Sequence, residues 1–316
     1  MPTNPDLLTL DAVKAAAERI RPYVNETPIV PLTPTGIALK AESLHPIGAF
    51  KIRGAFNAIL SLSESERRRG VVAHSSGNHA QGVAYAARAL GIPSVIVMPT
   101  NVSPVKLAAT KALGAEVHLV TAAERAAKFE GLARERGLIQ VPPFDSLAIM
   151  AGTGTIGLEI LKQRPDVKVV LAPVSGGGLL GGISATIAQT RPDVQVIGVE
   201  PELANDAAMS FREGHIVGLS AEETARTIAD GLRVQQLGKL PWANIRAYTR
   251  DIVTVAEDEI KAAMRRIAAE ARLVAEPSGA VALAGALKLG LDPKTSVAVL
   301  SGGNVELGFY ASILAG

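Results

Sequence analysis

Short apolar runs rich in valine and isoleucine alternate with alanine-rich segments of helical pattern along most of the chain. The run at 71–74 precedes a helical pattern at 78–90, and the run at 94–98 precedes another at 103–113. Further strands are expected at 116–120, 167–174, 194–199, 251–255 and 296–300. Continuous apolar strands between amphipathic helices are typical of parallel sheets covered by helices on both faces. The pattern therefore predicts an α/β fold with mostly parallel sheets.

The composition narrows the class of protein. A chain of 316 residues with 48% hydrophobic content can bury one large core or two moderate ones, and its length suggests about two domains. Charged residues make up 20%, the net charge is +2 and aromatic residues reach only 3%, which argues against a nucleic-acid partner. There is no cysteine, and we find neither a secretory signal nor a membrane span. A soluble, cytoplasmic protein is expected.

The most informative loop is 174–182, which follows an apolar strand and opens a helix. Gly176, Gly177 and Gly178 stand in a row, and a second glycine pair follows at 181–182. Glycines let main-chain N–H groups approach an anion, and a helix N-terminus adds positive potential. A tight turn alone needs fewer glycines, so the loop predicts a phosphate site.

The same loop also fits a dinucleotide-binding pattern through Gly176, Gly178 and Gly181. Glu200 ends the next predicted strand, near the place of a ribose-binding acid. A nicotinamide-dependent oxidoreductase is therefore an alternative. A Walker A loop is excluded, because no Gly-Lys-Ser/Thr follows.

Three further loops carry chemical groups. Residues 74–79 place small hydroxyls, a glycine and an amide at a helix N-terminus, which suits a carboxylate, although an ordinary helix cap has the same pattern. Lys51 lies between two glycines in 48–54, and Ser301 follows the last apolar strand in 298–304. Each of these signals is weak alone.

Taken in order, the loops resemble one family. Residues 48–55 (Gly-Ala-Phe-Lys-Ile-Arg-Gly-Ala), 75–79 (Ser-Ser-Gly-Asn-His), 175–179 and 301–304 (Ser-Gly-Gly-Asn) resemble the serine/threonine dehydratase and serine racemase group. These are pyridoxal-phosphate enzymes of the tryptophan-synthase-β-like fold, also called fold type II. The resemblance extends to 151–155, 228–232 and 276–280, and so covers nearly the whole chain.

The resemblance implies two doubly wound α/β domains with the active site in the cleft between them. Residues 1–69 and 147–316 would form the large, cofactor-binding domain. Residues 70–146 would form a small, inserted, substrate-binding domain. Closure of the cleft would assemble the site and exclude water. A homodimer is also implied.

The resemblance assigns the cofactor contacts. Lys51 resembles the lysine that joins the cofactor's aldehyde and then serves as base at the substrate α-carbon. Phe50 would pack near the ring, Asn78 would bond the ring hydroxyl, and Ser301 would bond the pyridine nitrogen. The phosphate would be held by Ser175, Gly176, Gly177, Gly178 and Leu179. Ser175 stands where the family usually has a fourth glycine.

The substrate carboxylate would be held by Ser75, Ser76, Gly77 and His79. In the serine racemases, the serine that matches Ser76 is an acid/base on the ring face opposite the lysine. Lys51 and Ser76 are therefore the two expected catalytic residues, and racemisation stays open beside elimination.

The resemblance also implies a metal site. Glu200, the main-chain oxygen of Ala204, and Asp206 match a family segment that binds Mg²⁺, Mn²⁺ or Ca²⁺. Oxygen ligands suit such hard cations. A solvated loop with two carboxylates is the simpler alternative to a metal site. If the metal site exists, Glu200 is a metal ligand, and it then no longer supports a ribose-binding role.

The expected reaction is loss of water and ammonia from L-threonine or L-serine. Serine racemase and dehydration of phenylserine or 3-hydroxyaspartate are alternatives, because Ala49, 46–47 and Thr153 differ from commoner family residues. A cysteine synthase is disfavoured, since its motif has Lys-Asp-Arg where this chain has Lys-Ile-Arg at 51–53. A non-catalytic amino-acid sensor is disfavoured by Lys51 itself. No regulation by isoleucine is expected, since little chain follows Ser301.

Overall fold

The computed structural model describes residues 4–33, 36–75, 77–102, 104–121 and 123–316. Within these ranges the chain forms ten strands: β1 (Ile29–Pro31), β2 (Ala38–Ala41), β3 (Val71–His74), β4 (Ser94–Pro99), β5 (Glu116–Val120), β6 (Ile139–Gln140), β7 (Val169–Pro173), β8 (Gln195–Pro201), β9 (Asp251–Val255) and β10 (Ser296–Leu300). The strands predicted from the apolar runs are all present, with ends that differ by no more than two residues.

Fourteen α-helices lie in the same described ranges: α1 (Leu10–Ile20), α2 (Lys51–Leu60), α3 (Glu64–Arg69), α4 (Asn78–Ala89), α5 (Pro104–Ala112), α6 (Arg125–Arg136), α7 (Leu147–Gln163), α8 (Gly178–Thr190), α9 (Asp206–Glu213), α10 (Ala221–Thr224), α11 (Lys239–Tyr248), α12 (Glu257–Arg266), α13 (Pro277–Lys288) and α14 (Leu307–Ala315). None of the described helices is both long enough and apolar enough to cross a bilayer.

The strands form two sheets. The larger has the order β1-β2-β10-β7-β8-β9, and the smaller has the order β5-β4-β3-β6. All neighbouring pairs are parallel except β1 with β2, an antiparallel pair at the edge of the larger sheet. The predicted α/β class with mostly parallel sheets is confirmed. The short strands β1, β2 and β6 were not expected from the hydrophobic pattern.

Helices cover both faces of the larger sheet. Ile260 of α12 and Val281 of α13 pack into the core on one face. Ile156 of α7 and Ile183 of α8 pack into the core on the other. Burying an aliphatic side chain of this size contributes roughly 1.5–3 kcal/mol, so both helical layers stabilise the larger sheet.

The smaller sheet is also covered on both faces. Phe56 of α2 and Val83 of α4 pack with Val71 on one face. Phe129 of α6 packs with Val72 on the other. The helix that begins at Lys51 therefore packs against the smaller sheet although it precedes all four of its strands. The predicted domain boundaries at 69/70 and 146/147 stay a prediction.

The two sheets place the predicted loops close together. In parallel α/β sheets, ligands bind beyond the carboxyl ends of the strands. β7 and β10 are neighbours, so the glycine loop after β7 and the Ser301 loop after β10 leave the larger sheet side by side. Ser75 and Gly77 lie between the end of β3 in the smaller sheet and the start of α4.

Candidate active site

Lys51 opens α2, in a segment bound to the loop after β10. The main-chain N–H of Phe50 donates to the carbonyl of Ser301 at 3.0 Å, and Ala49 forms an isolated bridge with Gly302. The N–H of Gly303 donates to the carbonyl of Gly48 at 2.9 Å. These bonds bring the predicted lysine and the predicted Ser301 loop together from opposite ends of the chain.

The amine of Lys51 lies in an enclosed position. It donates a 2.7 Å hydrogen bond to the main-chain oxygen of Pro143, and it lies 5.1 Å from the centre of the Phe50 ring. Burial lowers the pKa of Lys51 to about 8, because the charged form loses hydration. A larger fraction of this amine is therefore uncharged near neutral pH than on an exposed lysine, as a nucleophile or base requires.

Pro143 and Phe144 lie between Lys51 and the glycine loop. While Pro143 accepts the bond from the lysine, the Phe144 ring lies so close to Gly176 that a Cβ there would overlap it. Asp145 holds the segment in place, since its carboxylate accepts from the N–H groups of Lys239 and Leu240 at 3.1 and 3.0 Å, at the start of α11. None of these three residues stands in a motif that the sequence singled out.

The glycine loop has the groups that an anion needs. It leads directly into α8, whose first N–H groups lack partners within the helix, as at any helix N-terminus. The hydroxyl of Ser175 is buried and meets no hydrogen-bond partner among the described residues. Leu179 is buried. A phosphate at this place would satisfy N–H and hydroxyl donors together.

Asn78 begins α4, and its side chain connects this helix to the start of α13 and to the loop after β10. Its Nδ2 donates to Oε1 of Glu276 at 2.6 Å, and its Oδ1 accepts from Nδ2 of Asn304 at 2.8 Å. Glu276 is 3% exposed, and burial raises its pKa to about 8, helped by the nearby charge of Asp230. Glu276 and Asn304 belong to the motifs at 276–280 and 301–304, yet neither received a role from the sequence.

Of the predicted substrate residues, Ser75, Gly77 and His79 are described and lie at the carboxyl end of β3. The N–H of Gly77 donates to the hydroxyl of Ser75 at 3.2 Å. Ser76, the second predicted catalytic residue, lies outside the described residues. His79 is buried, and its Nε2 donates to the main-chain oxygen of Val141 at 3.0 Å. Burial, assisted by the charge of Lys51, lowers the pKa of His79 to about 3, so its ring is neutral.

Ser301 is 4% exposed at the carboxyl end of β10. Its hydroxyl donates a long bond of 3.4 Å to the carbonyl of Ser278. A bond of this length leaves the hydroxyl free to turn towards a better partner.

A buried ionic network underlies the first turn of α2. Arg53 is 1% exposed and donates all five of its N–H groups, two to Glu42, two to Glu159 and one to Thr155. Burial alone would lower the pKa of Arg53, but the two carboxylates outweigh it and raise the pKa. Because Arg53 lies two residues after Lys51, the network holds the helix turn that carries the lysine.

The predicted metal ligands lie at the carboxyl end of β8. Glu200 and Asp206 are fully buried, and Glu200 accepts from the N–H of Ala208 at 2.9 Å. Both oxygens of Asp206 lack partners among the described residues. Burial raises the pKa of both carboxyls, and their mutual repulsion raises that of Glu200 further. In the described ranges no three His, Asp or Glu side chains come together. The predicted site would use two carboxylates and the oxygen of Ala204.

Comparison with known proteins identifies the family. A family model described as pyridoxal-phosphate dependent enzyme matches residues 20–302. This chain belongs to that family. The resemblance drawn from the motifs is thereby confirmed. Membership of this family favours pyridoxal phosphate over a dinucleotide as the ligand of the glycine loop.

Several relatives match this chain over nearly their full lengths. The L-threo-3-hydroxyaspartate ammonia-lyase of Saccharomyces cerevisiae is 38% identical over 100% of this chain and 97% of its own. The serine racemase of Schizosaccharomyces pombe is 36% identical over 99% of both. The crystal structure of the T.th. threonine deaminase superposes with a TM-score of 0.89 at 41% identity, covering 95% of this chain and 99% of its own. This likeness confirms the expected fold.

The residues present fit pyridoxal phosphate. The buried Ser175 hydroxyl without a described partner and the start of α8 suit its phosphate. The enclosed Lys51 amine, with its lowered pKa, suits its aldehyde. When bound, the cofactor supplies an aldehyde that joins amines and a ring that accepts electrons from the substrate α-carbon.

Proposed function

We propose that this enzyme catalyses β-elimination from a hydroxy amino acid, with L-threonine or L-serine as the first candidates. In the reaction the α C–H and β C–O bonds break and water leaves. A second water is then consumed as ammonia is released, leaving a 2-oxo acid. The observation that carries the proposal is the enclosed Lys51 amine, whose pKa of about 8 fits a base at the α-carbon. The ammonia-lyase and deaminase activities named for its relatives support it.

Lys51 would hold the cofactor and then move the α-proton. Its bond to the Pro143 oxygen fixes the amine while leaving two N–H groups or the lone pair for chemistry. Phe50 would pack beside the ring, which its position 5.1 Å from the Lys51 amine supports.

The phosphate would be bound by Ser175, Gly176, Gly177, Gly178 and Leu179. Ser175 stands where the family usually has a glycine. Its main-chain N–H can still donate to the phosphate, and its hydroxyl adds a side-chain donor. Ser301 would meet the pyridine nitrogen. A neutral hydroxyl stabilises a protonated ring less than a carboxylate does, which favours a fast leaving-group step over a long-lived carbanion.

The substrate carboxylate would lie against the start of α4, held by Ser75, Gly77 and His79 from the described residues and by Ser76. The neutral His79 ring would act through its fixed position rather than through charge. Ser76 would serve as the acid/base on the second face.

Racemisation of serine is a second candidate activity, which the similarity to a serine racemase supports. Dehydration of 3-hydroxyaspartate is supported in the same way by the yeast relative. Phenylserine is a further candidate, because residues 46–47, Ala49 and Thr153 differ from the commoner residues of the family.

A divalent cation (Mg²⁺, Mn²⁺ or Ca²⁺) would bind to Glu200, Asp206 and the Ala204 oxygen. Two buried carboxylates, one without any described partner, make an unfavourable pair unless a cation or protons neutralise them, and this supports the site.

The domain boundaries, the homodimer and the cytoplasmic location are part of the same proposal. The split of the strands into a sheet within 71–140 and a sheet outside it supports the inserted domain. The exposed Leu307 and Phe309 on α14 supply apolar surface of the kind that homodimers bury.

Borohydride labelling tests the proposal. The purified protein should show a visible absorption band that borohydride abolishes, with the reduced cofactor attached to Lys51. L- and D-hydroxy amino acids are then supplied in turn, and keto acid, ammonia and the enantiomers are assayed. Cofactor-loaded protein without such a band, or without keto acid from any hydroxy amino acid, would refute the proposal.

A further inference from the structure

Asn304 joins three segments of the site through one side-chain amide. Its Nδ2 donates to the main-chain oxygen of Ile47 at 2.7 Å and to Oδ1 of Asn78 at 2.8 Å. It therefore connects the loop after β10 with the Lys51 segment of 47–51 and with the start of α4.

The first of these bonds fixes the orientation of both amides. A main-chain oxygen can only accept, so the atom of Asn304 that faces Ile47 must be the nitrogen. The second hydrogen of that nitrogen faces Asn78, so Asn78 must present its oxygen there. The nitrogen of Asn78 is then turned away, where its 2.6 Å bond to Glu276 lies. The donor and acceptor groups of the partners therefore fix the orientations of both side-chain amides.

The amide of Asn304 has a preformed place. Gly48 has a φ of +68°, and a Cβ at that residue would overlap Oδ1 of Asn304. A side chain at 48 would therefore push Asn304 away from Ile47. The bond from the N–H of Gly303 to the Gly48 oxygen keeps the two segments aligned.

The side-chain nitrogen of Asn78 carries two hydrogens, and only one of them has a hydrogen-bond partner among the described residues. Within the described residues, that nitrogen donates to Glu276 alone. Under the proposed function, on which this inference rests, and with Asn78 assigned to the ring hydroxyl as the family resemblance implies, this free N–H would donate to that hydroxyl oxygen.

We propose that Asn304 is a positioning residue that holds Asn78 with an N–H donor, and not its oxygen, towards the cofactor ring oxygen. A donor favours the ionised form of that oxygen, because hydrogen bonds to charged acceptors are roughly twice as strong as those to neutral ones. Asn304 thereby biases the ionisation of the bound cofactor without touching it.

The variant N304D tests the proposal in the cofactor-loaded enzyme. A carboxylate has nearly the shape of the amide but cannot donate, so it would attract the nitrogen of Asn78 and turn the amide over. We expect the ratio of the visible band to the near-ultraviolet band to fall, and the dissociation constant of pyridoxal phosphate to rise about tenfold. N304A removes the donor without adding charge and should shift both quantities in the same direction.

N244D is the matched control. Asn244 is buried, its Nδ2 donates to the main-chain oxygens of Asp6 and Leu240 at 2.9 and 2.8 Å, and its Oδ1 accepts from the N–H of Leu8 at 2.9 Å. N244D should lower the melting temperature and leave the band ratio unchanged. An unchanged band ratio and affinity in both position-304 variants would overturn the inference, as would an equal shift in N244D. A wild type without any band tied to Lys51 would instead refute the proposed function.

Discussion

The amine of Lys51 donates a 2.7 Å hydrogen bond to the main-chain oxygen of Pro143, 92 residues further along the chain. Phe144 follows directly and covers Gly176 in the glycine loop, while Asp145 caps α11. One short segment thus sets the distance between the lysine and the proposed phosphate site.

The lowered pKa of Lys51 predicts how uptake of the cofactor depends on pH. Only the uncharged amine attacks an aldehyde, so the rate of uptake by cofactor-free protein should rise with pH, with a midpoint near 8. The rise of the visible band after mixing with pyridoxal phosphate measures this rate. A midpoint near the ordinary lysine value of about 10.4 would contradict the enclosed position of the amine. K51R, which cannot join the aldehyde, should show no band.

The raised pKa of Glu276 predicts a change in stability with pH. The folded, cofactor-free protein holds this proton up to a pH of about 8, while the unfolded chain releases it near 4.5. The stabilisation is complete below the lower value and is lost as pH rises towards the upper one. E276Q keeps the bond from Asn78 without a charge. The free energy of unfolding of E276Q should therefore exceed that of the wild type by an amount that grows with pH and levels off above about 8.

Urea unfolding at several pH values measures this difference, which we expect to reach at least about 2 kcal/mol. E306Q, at an exposed glutamate before α14, is the control and should give no such trend. A difference between E276Q and wild type that stays constant with pH would contradict the assignment.

Replacement of Arg53 should destabilise the protein strongly. R53M leaves Glu42 and Glu159 without their shared cation, and breaking a buried ion pair typically costs about 3–5 kcal/mol. R53K should fall between R53M and wild type, because an ammonium group offers three donors where the network uses five. Denaturant unfolding gives these values.

A surface pair provides the control for Arg53. R266K removes a partly exposed guanidinium that bonds Glu270 at 2.7 Å, and exposed pairs contribute at most about 1 kcal/mol. Equal losses of unfolding free energy in R53K and R266K would show that the buried network stabilises the protein no more than an exposed ion pair does.

The proposed cation site predicts ligand-dependent melting. A divalent cation at a hundred times its dissociation constant should stabilise the wild type by about 2.7 kcal/mol relative to chelator. D206N should lose this gain, while D258N, at an exposed carboxylate in α12, should retain it. Equal melting of the wild type in chelator and in excess Mg²⁺ would refute the site.

Much of the fold could be predicted from the sequence because its signals are local. Valine-rich runs such as 71–74 and 94–98 needed only their own residues to be recognised as strands. The strand β6 has two residues and takes its place by pairing with β3, so no local pattern marks it.

The residues of the candidate site also fall into those that the sequence could predict and those that it could not. Lys51, Ser175 and Ser301 could be named because they stand in motifs with a recognisable order. Pro143 and Phe144 could not, since their importance arises from contacts with residues far away in sequence. Glu276 and Asn304 stood in quoted motifs, but only their bonds to Asn78 give them a role.

The position of β10 between β2 and β7 has a consequence for folding. The strand that completes the centre of the larger sheet is made last, after both of its neighbours. A nascent chain must keep the gap between β2 and β7 open, and non-local closure of this kind is slow. We therefore expect the cofactor to be captured late, once β10 has paired, so that its binding reports completed folding.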